Sequence, residues 1–342
     1  MTMIDQPVPV ADPPLPLLVT GVAGVAGFNA FHYFRERYPG QVFGTRRADN
    51  WPLSGAGIHG CDVEDHEGLA ALFERYQFQS VLNCEGTCKL KSCELDPAMA
   101  QRVNVVGARN LLKLVRQYQV RMVHLSIDLV FSGKGQGGHV EQDATDPVTV
   151  YGRTMVEAEQ LVVQENPAAC ILRISLPMGI SHNGHAGAID WIQSRFMKSK
   201  PATLYYDEIR TPTYTDCLNR LFQRVLVDDL RGLYHAGGPR CLSLYEIAQV
   251  VNRIGGYAPE HLQGCYRKEA GPLPPRAGDV TMNSDKLATA IGFQPFDPWP
   301  YDESHVPTHR DWHRDRPGNE AGSPEWLAQV LYRNPRHQSE TI

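Results

Sequence analysis

Three glycines at three-residue spacing, Gly21, Gly24 and Gly27, stand in Thr20-Gly-Val-Ala-Gly-Val-Ala-Gly27, directly after an apolar run and before a helical pattern. A turn of this kind suits a pyrophosphate, because glycine permits the sharp bend, lets the backbone approach closely and points a helix N-terminus at the anion. The plain alternative is a flexible turn. Farther on, Phe43-Gly44-Thr45-Arg46-Arg47 ends the next apolar stretch with two guanidiniums, where an NAD-preferring site usually offers an acid to the ribose. Arginine forks suit phosphate, so Arg46 or Arg47 is a candidate for the 2′-phosphate of NADP, against the alternative of two solvated surface arginines. Asp62-Val63 follows another turn and could set a carboxylate near an adenine amino group, while Asn83 would end its strand beside the same ligand. Asp128 is a polar residue that either ties the following loop amides or faces a substrate.

Two other groupings invite a metal reading. Cys84, Cys88 and Cys93 match no common zinc spacing. His305, His309 and His313 would align on a helix, but Pro307 interrupts it, so a solvated tail is expected and no metal is assigned. His182 and His185 flank an Asn-Gly turn and either line a substrate mouth or lie exposed.

These residues need a scaffold. The pattern Leu15 to Thr20, Gln41 to Gly44, Ser80 to Cys84, Arg121 to Leu125 and Cys170 to Ile174 reads as strands. Helical stretches lie between them: one through Phe28, Phe31 and Phe34, one from Pro97 to Tyr118, and one from near Thr149 carrying Glu157 and Glu159. Strands alternating with helices argue for an α/β fold with a doubly wound parallel sheet. After Ser175 the alternation loosens, which suits a smaller substrate lobe with segments that can return to the sheet. The expected division is a Pro-rich leader over 1–16, extended or disordered, a nucleotide-binding domain over 17–175, the lobe over 176–298 and a tail over 299–342.

The chain has 342 residues, 33 Lys and Arg against 38 Asp and Glu, and a formal charge of -5, which lacks the basic footprint of a nucleic-acid or anionic-membrane protein. Prolines at 13, 14 and 16 cut the first apolar stretch, so it reads as neither a signal peptide nor a membrane span, and a cytoplasmic location with free thiols is expected. The expected partners are a small-molecule substrate and a second copy or a partner enzyme.

Taken jointly, the glycine turn, Asp62-Val63, Asn83, Asn104-Val105-Val106-Gly107, His124 through Gly133, Val150-Tyr151-Gly152-Arg153, Arg173-Ile174-Ser175, Thr211 through Thr215 and Gly232 through Gly238 resemble the extended short-chain dehydrogenase/reductases. The similarity is strongest to the dTDP-4-dehydrorhamnose reductase branch, and it spans roughly Leu17 to Pro295. The resemblance implies a Rossmann-type fold, NADP(H) at Gly21, Gly24, Gly27 and Arg46, and a keto group on a nucleotide sugar as substrate. It also implies Tyr151 as the proton donor lying against the cofactor; Ser126 and Asp128, on either side of Ile127, are further catalytic candidates by position.

Two helpers of that family are replaced. Met155 stands four residues after Tyr151 where a lysine binds the nicotinamide ribose and lowers the phenol's pKa, and Ile127 stands where a hydroxyl holds the carbonyl. Neighbouring strand residues face opposite sides, so Ser126 substitutes for Ile127 only if the strand end bends. Leu129 and Leu176-Pro177 replace further polar or aromatic groups near the sugar. Two functions remain open: an oxidoreductase with an unorthodox helper set, or a catalytically silent cofactor-binding regulator or scaffold like the regulatory subunit of methionine adenosyltransferase.

Overall fold

The structure is a computed structural model that describes residues 11–182, 184, 187–316 and 321–332. Strand β1 (Leu17–Thr20) is apolar on both faces and wholly buried, as a central parallel strand covered by helices on each side must be. It pairs in parallel with β2 (Val42–Arg46) and with β4 (Ser80–Asn83). β3 (Ile58–Gly60) adds to β2 at one edge. On the other side β5 (Arg121–Ile127), β6 (Cys170–Ile174) and β7 (Gly232–Ala236) follow, giving the seven-stranded order β7-β6-β5-β4-β1-β2-β3 among the described residues. β7 is the segment of the second half that returns to the sheet, in register Leu233 to Ile171 and Tyr234 to Leu172.

Helices α1 (Val25–Arg37) and α2 (His66–Tyr76) connect the first strands. The stretch expected as one helix from Pro97 to Tyr118 is continuous but contains a π turn at Arg102–Val106 between Pro97–Gln101 and Gly107–Gln117; together these form α3. α4 (Val150–Glu165) starts from Thr149, whose hydroxyl accepts the Gly152 amide. Its buried face carries Tyr151, Met155, Ala158, Glu159 and Val162, one stripe at helical spacing. α5 (Ala188–Met197), α6 (Thr215–Val227) and α7 (Leu244–Ile254) complete the second half with three short strand pairs.

The ends are tied in more closely than composition suggests. Pro14 accepts from the Ser80 hydroxyl and Pro16 from the Gln79 amide, so this part of the leader is pinned beside β4 through a bend at residues 14–16, while residues 1–10 lie outside the described residues. Past residue 306, Trp312 and His313 are buried, and α8 (Pro324–Leu331) packs Leu327, Val330 and Leu331 into the main core. Val330 also accepts a hydrogen bond from the Tyr214 hydroxyl at 3.2 Å. His313 therefore departs from the solvated-tail expectation: its ring packs edge-on to Tyr245 and sits beside the Gln249 amide. No helix among the described residues is long and apolar enough to cross a membrane. The eight cysteines are free thiols.

Candidate active site

β1 delivers the chain to the glycine turn at Gly21, whose φ of +66° is left-handed and costs an L side chain strain. A Cβ there would also meet the Cys84 carbonyl oxygen at 2.6 Å, and one at Gly27 would meet the Gly21 carbonyl oxygen at 2.3 Å. Gly24 differs: its Cβ would touch only Gly21 O at 3.5 Å, so the protein leaves the space in front of it open. Gly24 caps α1 without a side-chain hydrogen bond, and no acid stands in the first turn. Amides of that turn have no helical partner and face an open space, the arrangement that receives an anion.

The space is a cavity of about 290 Å³ lined by Gly24, Val25, Ala26 and Gly27 at one end and by Ile127, Asp128, Leu129, Tyr151 and Met155 at the other. It lies at the carboxyl ends of the strands, where open α/β sheets take ligands. Leu176 and Pro177 form part of its wall. Tyr151 belongs to an apolar cluster with Met155, Leu129 and Val150, against which Ile127 packs. Burial pushes its phenol well above the ordinary tyrosine value, with Cys88 and Asp128 adding to the rise and Arg210 opposing it. The phenol is therefore held neutral far beyond neutrality.

Asp128 lies beneath this cluster and is 3% exposed. It accepts from the Ser175 hydroxyl at 2.6 Å and from Arg210 Nη1 at 2.6 Å. Arg210 in turn donates to Glu208 at 2.9 Å, and Arg276 stands 3.7 Å from the other Glu208 oxygen. Glu208, Arg210 and Arg276 all line the cavity, and none was singled out from the sequence. Their only local signal is a pair of opposite charges just before Thr211-Pro-Thr-Tyr; their meeting with Asp128, 82 residues away, is a product of the fold.

The other candidates are distributed differently. The Ser126 hydroxyl donates to Glu159 Oε1 at 2.5 Å, and Arg173 clasps the same carboxylate through both forks at 2.8 and 2.7 Å. This buried triad binds β5, α4 and β6 together. Asn83 is spent likewise: its Oδ1 accepts from Thr20 at 2.6 Å and its Nδ2 lies 2.8 Å from His124 Nδ1. Burial drives the His124 ring down to about 4, so it is neutral.

At the end of β2 the two arginines part company. Arg46 folds onto its own loop and donates to the carbonyls of Leu53, Arg47 and Ala48 at 2.5, 2.8 and 3.1 Å. Arg47 points outward, its side chain 53% exposed, and pairs with the 71% exposed Asp49. Asp62 accepts the Ala48 amide at 3.2 Å, and Val63 fills the hollow over Gly107, where a Cβ would meet it at 2.5 Å. His182 sets its ring 6.2 Å from Phe28, whereas His185 lies outside the described residues.

Comparison with known proteins places this geometry. The model of the RmlD substrate binding domain matches residues 15–306. Among curated proteins, a probable low-salt glycan biosynthesis reductase of Haloferax volcanii is 26% identical over 70% of this chain and 80% of its own. The dTDP-4-dehydrorhamnose reductase of Mycolicibacterium smegmatis is 28% identical over 70% and 72%. Methionine adenosyltransferase 2 subunit beta of Xenopus laevis is 24% identical over 79% and 80%. A solved dTDP-4-dehydrorhamnose reductase of Bacillus anthracis, in complex with NADP, superposes with a TM-score of 0.71 at 18% identity, covering 93% of this chain and 99% of that one.

Proposed function

The chain belongs to the RmlD substrate binding domain family, and from that premise we propose that it is an NADP(H)-binding oxidoreductase acting on a keto group of a nucleotide sugar or similar metabolite. The observation that carries this reading is the single cavity running from the glycine turn to the Tyr151 phenol. An empty space in front of Gly24 and a helix end without an acid fit a dinucleotide's diphosphate.

In this reading the amides at the start of α1 hold the diphosphate. Arg47 takes the 2′-phosphate, because its exposed pair with Asp49 is worth at most about 1 kcal/mol and is easily exchanged. Arg46, saturated by carbonyls, shapes the loop. A bound NADPH supplies the hydride. Tyr151, kept protonated by its surroundings, gives its proton to the carbonyl oxygen. Asp128, through Ser175 and Arg210, sets the polar floor on which the sugar rests. A neutral phenol with no lysine beside it favours reduction over oxidation, and the missing hydroxyl at Ile127 leaves the carbonyl oxygen one donor short, a loss of about 3 kcal/mol in such sites. Turnover is accordingly slow.

The second reading is a catalytically silent NADP-binding regulator or scaffold. It is favoured by the wholly apolar Met155 and Ile127 beside the phenol and by the likeness to the methionine adenosyltransferase subunit. Calorimetry with NADPH and NADH, followed by NADPH oxidation assays with dTDP-4-dehydrorhamnose and other nucleotide keto sugars, separates the two. NADPH binding with turnover that Tyr151→Phe abolishes supports the enzyme. Binding without turnover on any of them supports the regulator, and no binding of either nucleotide refutes both.

A further inference from the structure

Directly after β4, the Glu85 amide bonds to Thr20 Oγ1 and Asn83 Oδ1, both at 3.3 Å, which fixes the residue across from the glycine turn. Its carboxyl is half-buried, lines the same cavity as Gly24 and Val25, and accepts from the Gly21 backbone. An acid is an odd occupant for the end of a cavity whose helix has been kept free of acids. The Thr20 and Asn83 hydrogen bonds use only the Glu85 amide, which leaves the carboxyl to the Gly21 backbone and the cavity. The groups around it are mostly of its own sign. Glu64 and Asp62 face it from the connection between β3 and α2, Cys84 adjoins it on its own segment, and the opposing cation is Arg47 from the end of β2, already paired with Asp49. Desolvation first, and Glu64 next, raise the carboxyl to about 7.

An ionised carboxylate and a dinucleotide diphosphate in one cavity repel each other, whereas a protonated carboxyl turns into a donor to a phosphate or ribose oxygen. We propose that Glu85 is a cofactor-binding residue that works in its protonated form, so that dinucleotide binding takes up one proton at Glu85 and weakens as the medium becomes alkaline. The inference rests on the dinucleotide reading above and adds to it a specific ligand group and a coupling.

The sign follows from linkage: if the bound state holds the proton more tightly than the free state, affinity falls by up to about tenfold for each pH unit above the free carboxyl's midpoint. The test is calorimetric titration of the intact protein with NADPH between about pH 6 and pH 8.5, in two buffers of different ionisation enthalpy, for the parent and for Glu85→Gln. The expected result is about a tenfold or greater loss of parent affinity across that range, uptake of about half a proton near pH 7 that approaches one toward the alkaline end, and a flatter profile with less uptake in Glu85→Gln. Because parent and variant are compared, titration of the ligand's own 2′-phosphate cancels. The same pH dependence in both proteins, or no more proton uptake by the parent than by the variant, overturns the inference while leaving dinucleotide binding intact. Failure of both proteins to bind removes the dinucleotide reading and the inference with it. Should the variant fold poorly, the same two-buffer titration of the parent with NADH, which carries no 2′-phosphate, decides.

Discussion

Replacing Met155 by lysine tests how the site around Tyr151 is built. The two residues sit four apart on the buried face of α4, which brings their Cβ atoms to about 5–6 Å. An ammonium about 6 Å from the phenol oxygen, at an effective dielectric of about 20, favours the phenolate by roughly 3 kcal/mol, which moves its titration down by about two pH units. Desolvation is the leading cause of the phenol's present elevation, and a cation is what counters it directly. Burying the ammonium carries a cost, so folding stability should drop, since Met155 is only 4% exposed. The measurement is the ultraviolet absorbance of phenolate against pH, taken as the difference between Met155→Lys and Met155→Lys/Tyr151→Phe, with Met155→Gln as the uncharged control. Reduction of a nucleotide keto sugar should rise in Met155→Lys and more in Met155→Lys/Ile127→Thr. If the variant folds and Tyr151 titrates as it does in the parent, then side chain 155 does not address the phenol, and the account of what the site lacks is wrong.

Further predictions concern the arginines and the buried triad. Arg46→Ala should lower the melting temperature, by the loss of three charged hydrogen bonds worth roughly 1.5–3 kcal/mol together in a partly exposed loop, and should leave the ratio of NADPH to NADH affinity unchanged. Arg47→Ala should do the reverse, with little change in melting and about tenfold loss of preference for NADPH in calorimetry. Glu159→Ala strands a buried Arg173 guanidinium and should cost about 3–5 kcal/mol in denaturant unfolding, several times the effect of Ser126→Ala; equal effects would contradict the arrangement.

Much of the scaffold was legible because it depends on local rules. β1, β4, β5 and β6 are short apolar runs between turns, and the helices between them follow from that alternation. The glycine turn was legible for a related reason: only residues without a Cβ fit where Gly21 and Gly27 meet backbone. What stayed hidden depends on paths through space. Two adjacent arginines of the same type gave no hint that one would turn back onto the Leu53 carbonyl while the other remained in solvent. β3 is three residues with no full apolar face, and it exists as a strand because β2 offers it a partner. The polar floor of Asp128, Ser175, Arg210, Glu208 and Arg276 draws on four separate segments, so no spacing rule could have assembled it. Glu85 adjoins a predicted strand end, yet nothing about a lone glutamate announces that a glycine amide will meet its carboxyl.

The segment beyond residue 306 is part of the folded interior. The family match stops there, but Trp312, Leu327, Val330 and Leu331 plug the same apolar interior as α7, and Tyr214 anchors to Val330. A fragment trimmed at the family boundary would expose a raw apolar face beside Tyr214 and Tyr245 and would tend to aggregate. Expression designs and domain fusions should therefore carry the chain through Leu331 and attach any tag outside it.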